Sequence, residues 1–563
     1  MKNMEQSKAI TRRAFIKGSA TGAAGIAAAT MLGGCAPQTV APDIAETQAP
    51  SAASTDTPVE SALPEKARPI ASVSAPGAWD YEVDVVVVGG GGSGLAAACA
   101  AAEKGVKVVL LEKNSFCGGD TSCAMVWGGT GSKFQIDAGI PDKPLNEKFM
   151  ARLYYPNDTS GNNSDGVRMI LEREAEVADW LQSIGVVFEP GPINNIMPPG
   201  AVIVPIDPEV PEEGYYRWWP HNAKGFTQAM NKEALRLGVE ILLETPAAAL
   251  VTDAGKVIGV KATTKEGKDI YAKGKVTILA AGGYGANRDM LKAYVAPRRY
   301  ESTRHWCLPS STGDGIRMAQ GIGAPIYAMD EIEVWDGPNP AAQDGMDLNY
   351  TTASQLVRQK SLTVNKLGKR FFNESAGLST GYVYQAAQKM AQLDHTTYTL
   401  FDANCIKKED IIAKFMPIFC EYPIPEWDKQ FEEQLADGTI IKADTLEELA
   451  TKIQVDPATL KATVDRYNEI CEKGEDADYF KPAYYLHPIK TPPFYTAVEM
   501  GGACFQTYGG LMYDEKLRVL GEDRTAIPGL YVAGENAYCL NTVMRVIPAG
   551  RIAGENAALE ALA

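Results

Sequence analysis

A glycine-rich turn between two apolar strands constrains this chain more than any other feature. Tyr81–Val88 reads Tyr-Glu-Val-Asp-Val-Val-Val-Val, an apolar run of strand length. Gly89-Gly90-Gly91-Gly92-Ser93-Gly94 follows, with Gly-x-Gly-x-x-Gly at 89, 91 and 94. Leu95–Lys104 is an alanine-rich stretch of helical length. Lys107–Leu111 is a second apolar strand, ending at Glu112. Strand, glycine turn, helix and strand make a βαβ unit of the kind that holds a dinucleotide. The glycines allow a tight turn and let a pyrophosphate approach the helix N-terminus, whose N–H groups favour an anion. Glu112, 18 residues beyond Gly94, is placed to accept hydrogen bonds from a ribose diol.

The rest of the composition narrows the class. At 563 residues and 45% hydrophobic, the chain is too long for one ordinary domain. Its 22% charged residues belong to a globular enzyme, and its 53 Gly and 34 Pro to one with many turns. Lys and Arg number 54 against 70 Asp and Glu, for a net charge of −16. That balance argues against nucleic acid and leaves basic proteins, such as electron carriers, as partners. The ten cysteines contain no Cys-x-x-Cys pair, so covalent c-type haem, zinc-ribbon and ferredoxin spacings are absent. The four histidines show no ligand spacing, and no metal site is expected.

The N-terminus carries its own signal. Thr11-Arg12-Arg13-Ala14-Phe15-Ile16-Lys17 precedes an uncharged, Ala/Gly-rich run from Gly18 to Gly34, which ends at Cys35. This resembles a twin-arginine export signal joined to a lipobox. The resemblance implies export of a folded, cofactor-loaded protein with a lipid on Cys35, anchored on the outer side of the cell membrane. Residues 1–34 are then signal. Residues 35–79, rich in Ala, Pro, Ser and Thr, are a flexible tether.

Five further segments give the βαβ unit a family. They are Cys117-Gly118-Gly119-Asp120-Thr121-Ser122, Val276-Thr277-Ile278-Leu279-Ala280-Ala281-Gly282-Gly283-Tyr284, Thr312-Gly313-Asp314-Gly315, Pro528-Gly529-Leu530-Tyr531-Val532-Ala533-Gly534-Glu535 and Gly550-Arg551-Ile552-Ala553-Gly554-Glu555. Over residues 81–563 the chain resembles the FAD-binding superfamily of fumarate reductases, flavocytochromes c and 3-ketosteroid Δ1-dehydrogenases. The resemblance implies an α/β fold, a Rossmann-like FAD-binding domain interrupted by an α+β cap. It places FAD-domain segments at 80–330 and 506–563 and the cap at 331–505. It implies non-covalent FAD held by Gly89, Gly91, Gly94, Glu112, Lys113, Gly118, Gly119, Asp120, Thr121, Ala281, Gly282, Asp314, Gly534 and Glu535.

The catalytic positions match the family only in part. Arg358 falls on its relay arginine. Arg545 lies 11 residues beyond Gly534, the offset of its carboxylate-binding arginine, but falls off that motif when counted back from Gly550-Arg551. The acid-donor arginine falls at Leu378, which cannot donate a proton, and the relay glutamate at Gln355, which cannot ionise. Trp335 and Gln506 stand where the family has substrate histidines, with Phe505 and Tyr508 beside Gln506. Tyr215–His221 adds a dense aromatic segment. Tyr382, one helical turn beyond Leu378, is the candidate acid, since a phenol can protonate an enolate-like carbon. These changes imply an exported reductase of an activated C=C bond, enone or acrylate in type, with a substrate larger and less charged than fumarate. Its electrons would come from a separate cytochrome or quinol-oxidising membrane protein. The alternatives are a dehydrogenase of 3-ketosteroid type and a non-catalytic flavin electron-transfer lipoprotein.

Overall fold

The computed structural model describes residues 63–563, apart from 124–130, 138, 140–141, 143, 148–163, 191–202, 207–223, 298–302, 306, 337–360, 376–381 and 406–426. The glycine turn joins β1 (Tyr81–Val88) to α1 (Gly92–Glu103), and β2 (Val108–Leu111) follows. β3 (Glu240–Leu242), β4 (Asp269–Leu279) and β7 (Ala526–Val532) complete a parallel sheet in the order β7-β4-β1-β2-β3. The last four residues of β1 and all of β2 are buried. Strands covered on both faces need the continuous valine and leucine runs that these carry, rather than alternation.

In Val251–Ala272 the two glycines centre the turns of a β meander, with Gly255 and Gly267 in the left-handed conformation that their tight turns require. Its strands are Ala247–Asp253, Lys256–Thr263 and the first residues of β4. The sequence reads Val276–Tyr284 as a separate strand. The structure instead runs one strand of 11 residues from the meander into the parallel sheet. Gly274, whose added Cβ would meet Val86 Cγ2 at 2.9 Å, lets the strand lie close beside β1.

The C-terminal helix α2 (Val543–Leu562) packs along α1. An added Cβ on Gly550 would overlap the carbonyl oxygen of Ser93, and one on Gly554 that of Ala97. The two glycines let the backbones touch, so this family-matching segment is a helix contact. Arg551, on the same helix, makes paired bonds of 2.8 and 2.7 Å to Glu103 and lies over the Trp180 ring at 4.3 Å.

A four-stranded antiparallel sheet lies outside the parallel one. Its order is Leu362–Asn365, Thr396–Asp402, Phe494–Met500, Ile440–Ala443. Helices Leu446–Lys452 and Pro457–Lys473 belong to its core, where Leu460, Val464 and Tyr467 are fully buried, as their stripe predicts. Thr445 caps the first helix by accepting from Glu448 N at 3.1 Å. The return bond runs from Asp444 N, one residue earlier than in the usual capping box. Between the two sheets, β5 (Ile332–Asp336) pairs antiparallel with β6 (Gly502–Thr507), from Ile332↔Thr507 to Asp336↔Gly502.

Candidate functional site

Eleven of the fourteen residues expected to hold FAD line one cleft at the ends of β1, β2 and β4. They are Gly89, Gly91, Glu112, Lys113, Gly119, Asp120, Thr121, Ala281, Gly282, Asp314 and Glu535. The cleft has a volume of about 760 Å³, counting its open mouth. Helix α1 begins here with no capping side chain on Gly91; Gly92 N donates to Thr121 Oγ1 at 3.2 Å, and the next N–H groups of the first turn are left to an anion. An added Cβ on Gly91 meets nothing nearer than Gly118 O at 3.9 Å, so it would enter the cleft itself. The Glu112 carboxylate accepts from Gly90 N and Asn114 N, each at 2.7 Å, which fixes it at the cleft wall.

Gly94, Gly118 and Gly534 do other work. A side chain on Gly94 would overlap the Gly89 carbonyl oxygen, so this glycine lets α1 pack against its own turn and clears no path for a ligand. Gly118 adopts φ 145° and donates to Gly90 O at 2.8 Å. Gly534 adopts φ 65°, with its missing side chain against Ser93.

The far end of the cleft is acidic. Asp120 accepts from Leu308 N at 2.6 Å and from the Ser311 hydroxyl. Glu535 lies within 3.4 Å of both Thr507 N and Thr507 Oγ1. Burial pushes the Glu535 carboxyl up to about 8, and the nearby Asp120 charge adds to the rise. Burial raises Asp120 as well. Lys113 balances part of this charge through a 2.8 Å ion pair with Asp314 and a 2.8 Å bond to Thr312. Asn536, absent from the sequence-based set, ties the end of β4 to this loop. It accepts from Ala281 N and donates to Gly282 O, both at 2.7 Å.

Beyond Glu535 the strand pair β5–β6 carries a second polar cluster. Glu333 and Gln506 face each other across the pair. Glu333 accepts from the Gln506 amide and from Tyr508 OH, the latter at 2.8 Å. All three residues are buried. Glu333 carries no signal in the sequence, because its partners lie 173 and 175 residues away. Arg545, in the first turn of α2, is buried and donates to Cys539 O at 3.1 Å. Cys539 N in turn donates to Tyr508 O at 2.9 Å. Arg551 stands on the α1 side of the same helix and does not line the cleft. Trp335 lies in β5, Phe505 lies in β6 and Tyr382 opens the helix Tyr382–Met390, but their side chains lie outside the described residues. Arg358, Gln355, Leu378, Tyr215–His221 and Cys35 also lie outside them.

The chain matches the FAD binding domain family over residues 84–546, and it belongs to that family. It is 32% identical over 509 residues to a urocanate reductase of Eggerthella lenta, covering 88% of this chain and 77% of that one. It is 29% identical over 408 residues to an NADH:acrylate oxidoreductase of Vibrio harveyi, covering 70% of this chain but 37% of that protein. Among solved structures, the 3-ketosteroid-delta4-(5alpha)-dehydrogenase of Rhodococcus jostii shares its fold at a TM-score of 0.65 and 24% identity, over 88% of this chain and all of that one. The chain is thus an FAD-dependent oxidoreductase of a group that acts on CH–CH and C=C bonds. The cleft fits FAD: an uncapped helix start, an open Gly91 and a wall carboxylate suit a pyrophosphate and a ribose. Bound there, FAD supplies the two-electron chemistry.

Proposed function

We propose that this protein reduces an activated C=C bond, of enone or acrylate type, in a substrate larger and less charged than fumarate. The observation that carries the reading is the buried Glu333 carboxylate between Gln506 and Tyr508. A dicarboxylate needs cationic or donor groups at both ends, and a fixed carboxylate there repels one of them. Arg545 would bind the substrate carbonyl or carboxylate and stabilise the enolate that forms. Trp335 would supply an aromatic wall. Residues 80–330 and 506–563 act as the FAD domain, and 331–505 as the cap.

The names of the two relatives, a urocanate reductase and an NADH:acrylate oxidoreductase, support an acrylate. Electrons would come from a separate cytochrome or quinol-oxidising membrane protein. Arg12, Arg13 and Cys35 support export and lipid anchoring outside the cell membrane. Among the described residues, no helix is long and apolar enough to cross a membrane.

The reading is tested with purified holoenzyme under anaerobic conditions. The protein is supplied with a reduced donor dye and offered cinnamate, urocanate, an enone and fumarate in turn. Turnover of a monocarboxylate or enone well above that of fumarate is expected; a clear preference for fumarate refutes it. For the anchor, Cys35→Ala should abolish lipid labelling and release the protein from membranes, and unchanged labelling excludes the lipobox.

A further inference from the structure

Reducing a C=C bond takes a hydride at one carbon and a proton at the other, so the chain must hold a proton source screened from water. We infer that Tyr508 and Glu333 are that source, the phenol giving the proton and the carboxyl restoring it. The inference rests on the C=C-reduction reading above.

Three observations carry it. The first is the contact itself. Tyr508 OH stands 2.8 Å from Glu333 Oε2, and Tyr508 and Glu333 are 2% and 4% exposed, so the substrate takes its proton from this pair and not directly from bulk water. The second is position. Tyr508 follows Thr507, whose N–H and hydroxyl meet Glu535 on the cleft wall. Its carbonyl holds Cys539 N, in the loop between the cleft residues Glu535 and Val546. The third is support. The Gln506 amide donates to the same Glu333 oxygen, and β5–β6 pairing holds residues 333 and 506 opposite each other. Glu333 and Gln506 therefore sit on sheet, and the donor Tyr508 stands one residue past the end of β6.

The step balances without a further reagent. FAD held in the cleft would supply a hydride to one alkene carbon, leaving the π electrons on the other. That carbon forms a C–H bond as the Tyr508 O–H bond breaks, leaving the bonding pair on the phenolate oxygen. A proton from solvent then enters by way of the Glu333 carboxylate and passes to that oxygen, which restores the phenol and leaves the carboxylate as it began. The 2.8 Å separation serves transfer in either direction. Other charged groups bear on the pair: Glu331 two residues earlier on the β5 side, Glu535 and Asp120 across Thr507, Arg545 behind Cys539, and Lys389 on the helix Tyr382–Met390, which pairs with Glu499.

The test separates the two half-reactions. Holoenzyme is reduced with a donor dye, and its reoxidation by cinnamate, urocanate or an enone is followed anaerobically across pH. In Tyr508→Phe, FAD content and reduction by the dye should match the parent, while reoxidation slows about 10²-fold or more. Glu333→Gln should remove or displace the fall in parental reoxidation at high pH, a change that loss of packing alone does not cause. Reoxidation of Tyr508→Phe within threefold of the parent overturns the inference. If Tyr508→Phe does not retain FAD, an unmoved pH profile in Glu333→Gln overturns it instead. A parent enzyme that no probe reoxidises refutes the C=C reading, and this inference with it.

Discussion

Two glycines of one motif part company at the level of single atoms. A methyl group on Gly94 has nowhere to go, because the Gly89 carbonyl occupies its place. A methyl group on Gly91 meets no protein atom nearer than 3.9 Å and would collide with what the cleft receives. Gly94→Ala should therefore lower the melting temperature of the cofactor-free protein by several degrees. Gly91→Ala should leave that temperature within about a degree and weaken FAD binding about tenfold or more, measured by fluorescence titration; the size follows from losing close ligand contacts of about 1.4 kcal/mol. The buried Glu535 sets a pH dependence. Its ordinary value is 4.5 and its folded value is about 8, so between these the folded chain holds a proton that the unfolded chain has lost. That contribution is fully present below 4.5 and declines as pH rises toward 8. Cofactor-free protein should lose stability from pH 5 to 8, and Glu535→Gln should flatten the trend in urea titrations.

Helices and strands owe their placement to contacts that no local pattern announces. Gly550 and Gly554 read as part of a motif, yet they bring α2 onto α1, and Arg551 fastens that pair through Glu103 and Trp180. Arg551→Met should cost about 2 kcal/mol of stability, the scale of a charged hydrogen-bonded pair, with FAD affinity unchanged once the protein is folded. In the cap, Arg370 bonds Glu374 at 2.9 and 2.8 Å and Asp476 at 2.8 Å, with Lys481 3.4 Å from Glu374. The Glu374 and Asp476 side chains are fully buried. Arg370→Met strips both of their shared guanidinium and should destabilise the protein by about 3–5 kcal/mol, read by chemical denaturation. A loss below 1 kcal/mol would mean that Lys481 alone suffices.

Across the whole molecule, the sequence by itself determined the parallel sheet, the dinucleotide turn and most of the cleft wall. Those features are written in short range: valine runs buried on both faces, glycines at fixed offsets, an acid at the end of the next strand. The cap helices were legible for the same reason, since Thr445 and the Leu460, Val464, Tyr467 stripe act within one or two turns. Only the tertiary structure decided what pairs across long separations. It set Gly94 against the Gly89 carbonyl and Gly550 against Ser93, sent Arg551 to Glu103, and brought Asn536 to the end of β4. It also set Glu333 beside Tyr508, 175 residues away. Hydrophobic period and turn chemistry are properties of neighbours along the chain. A buried carboxylate's partner is chosen by which strands lie side by side, and that follows from the burial of the whole core.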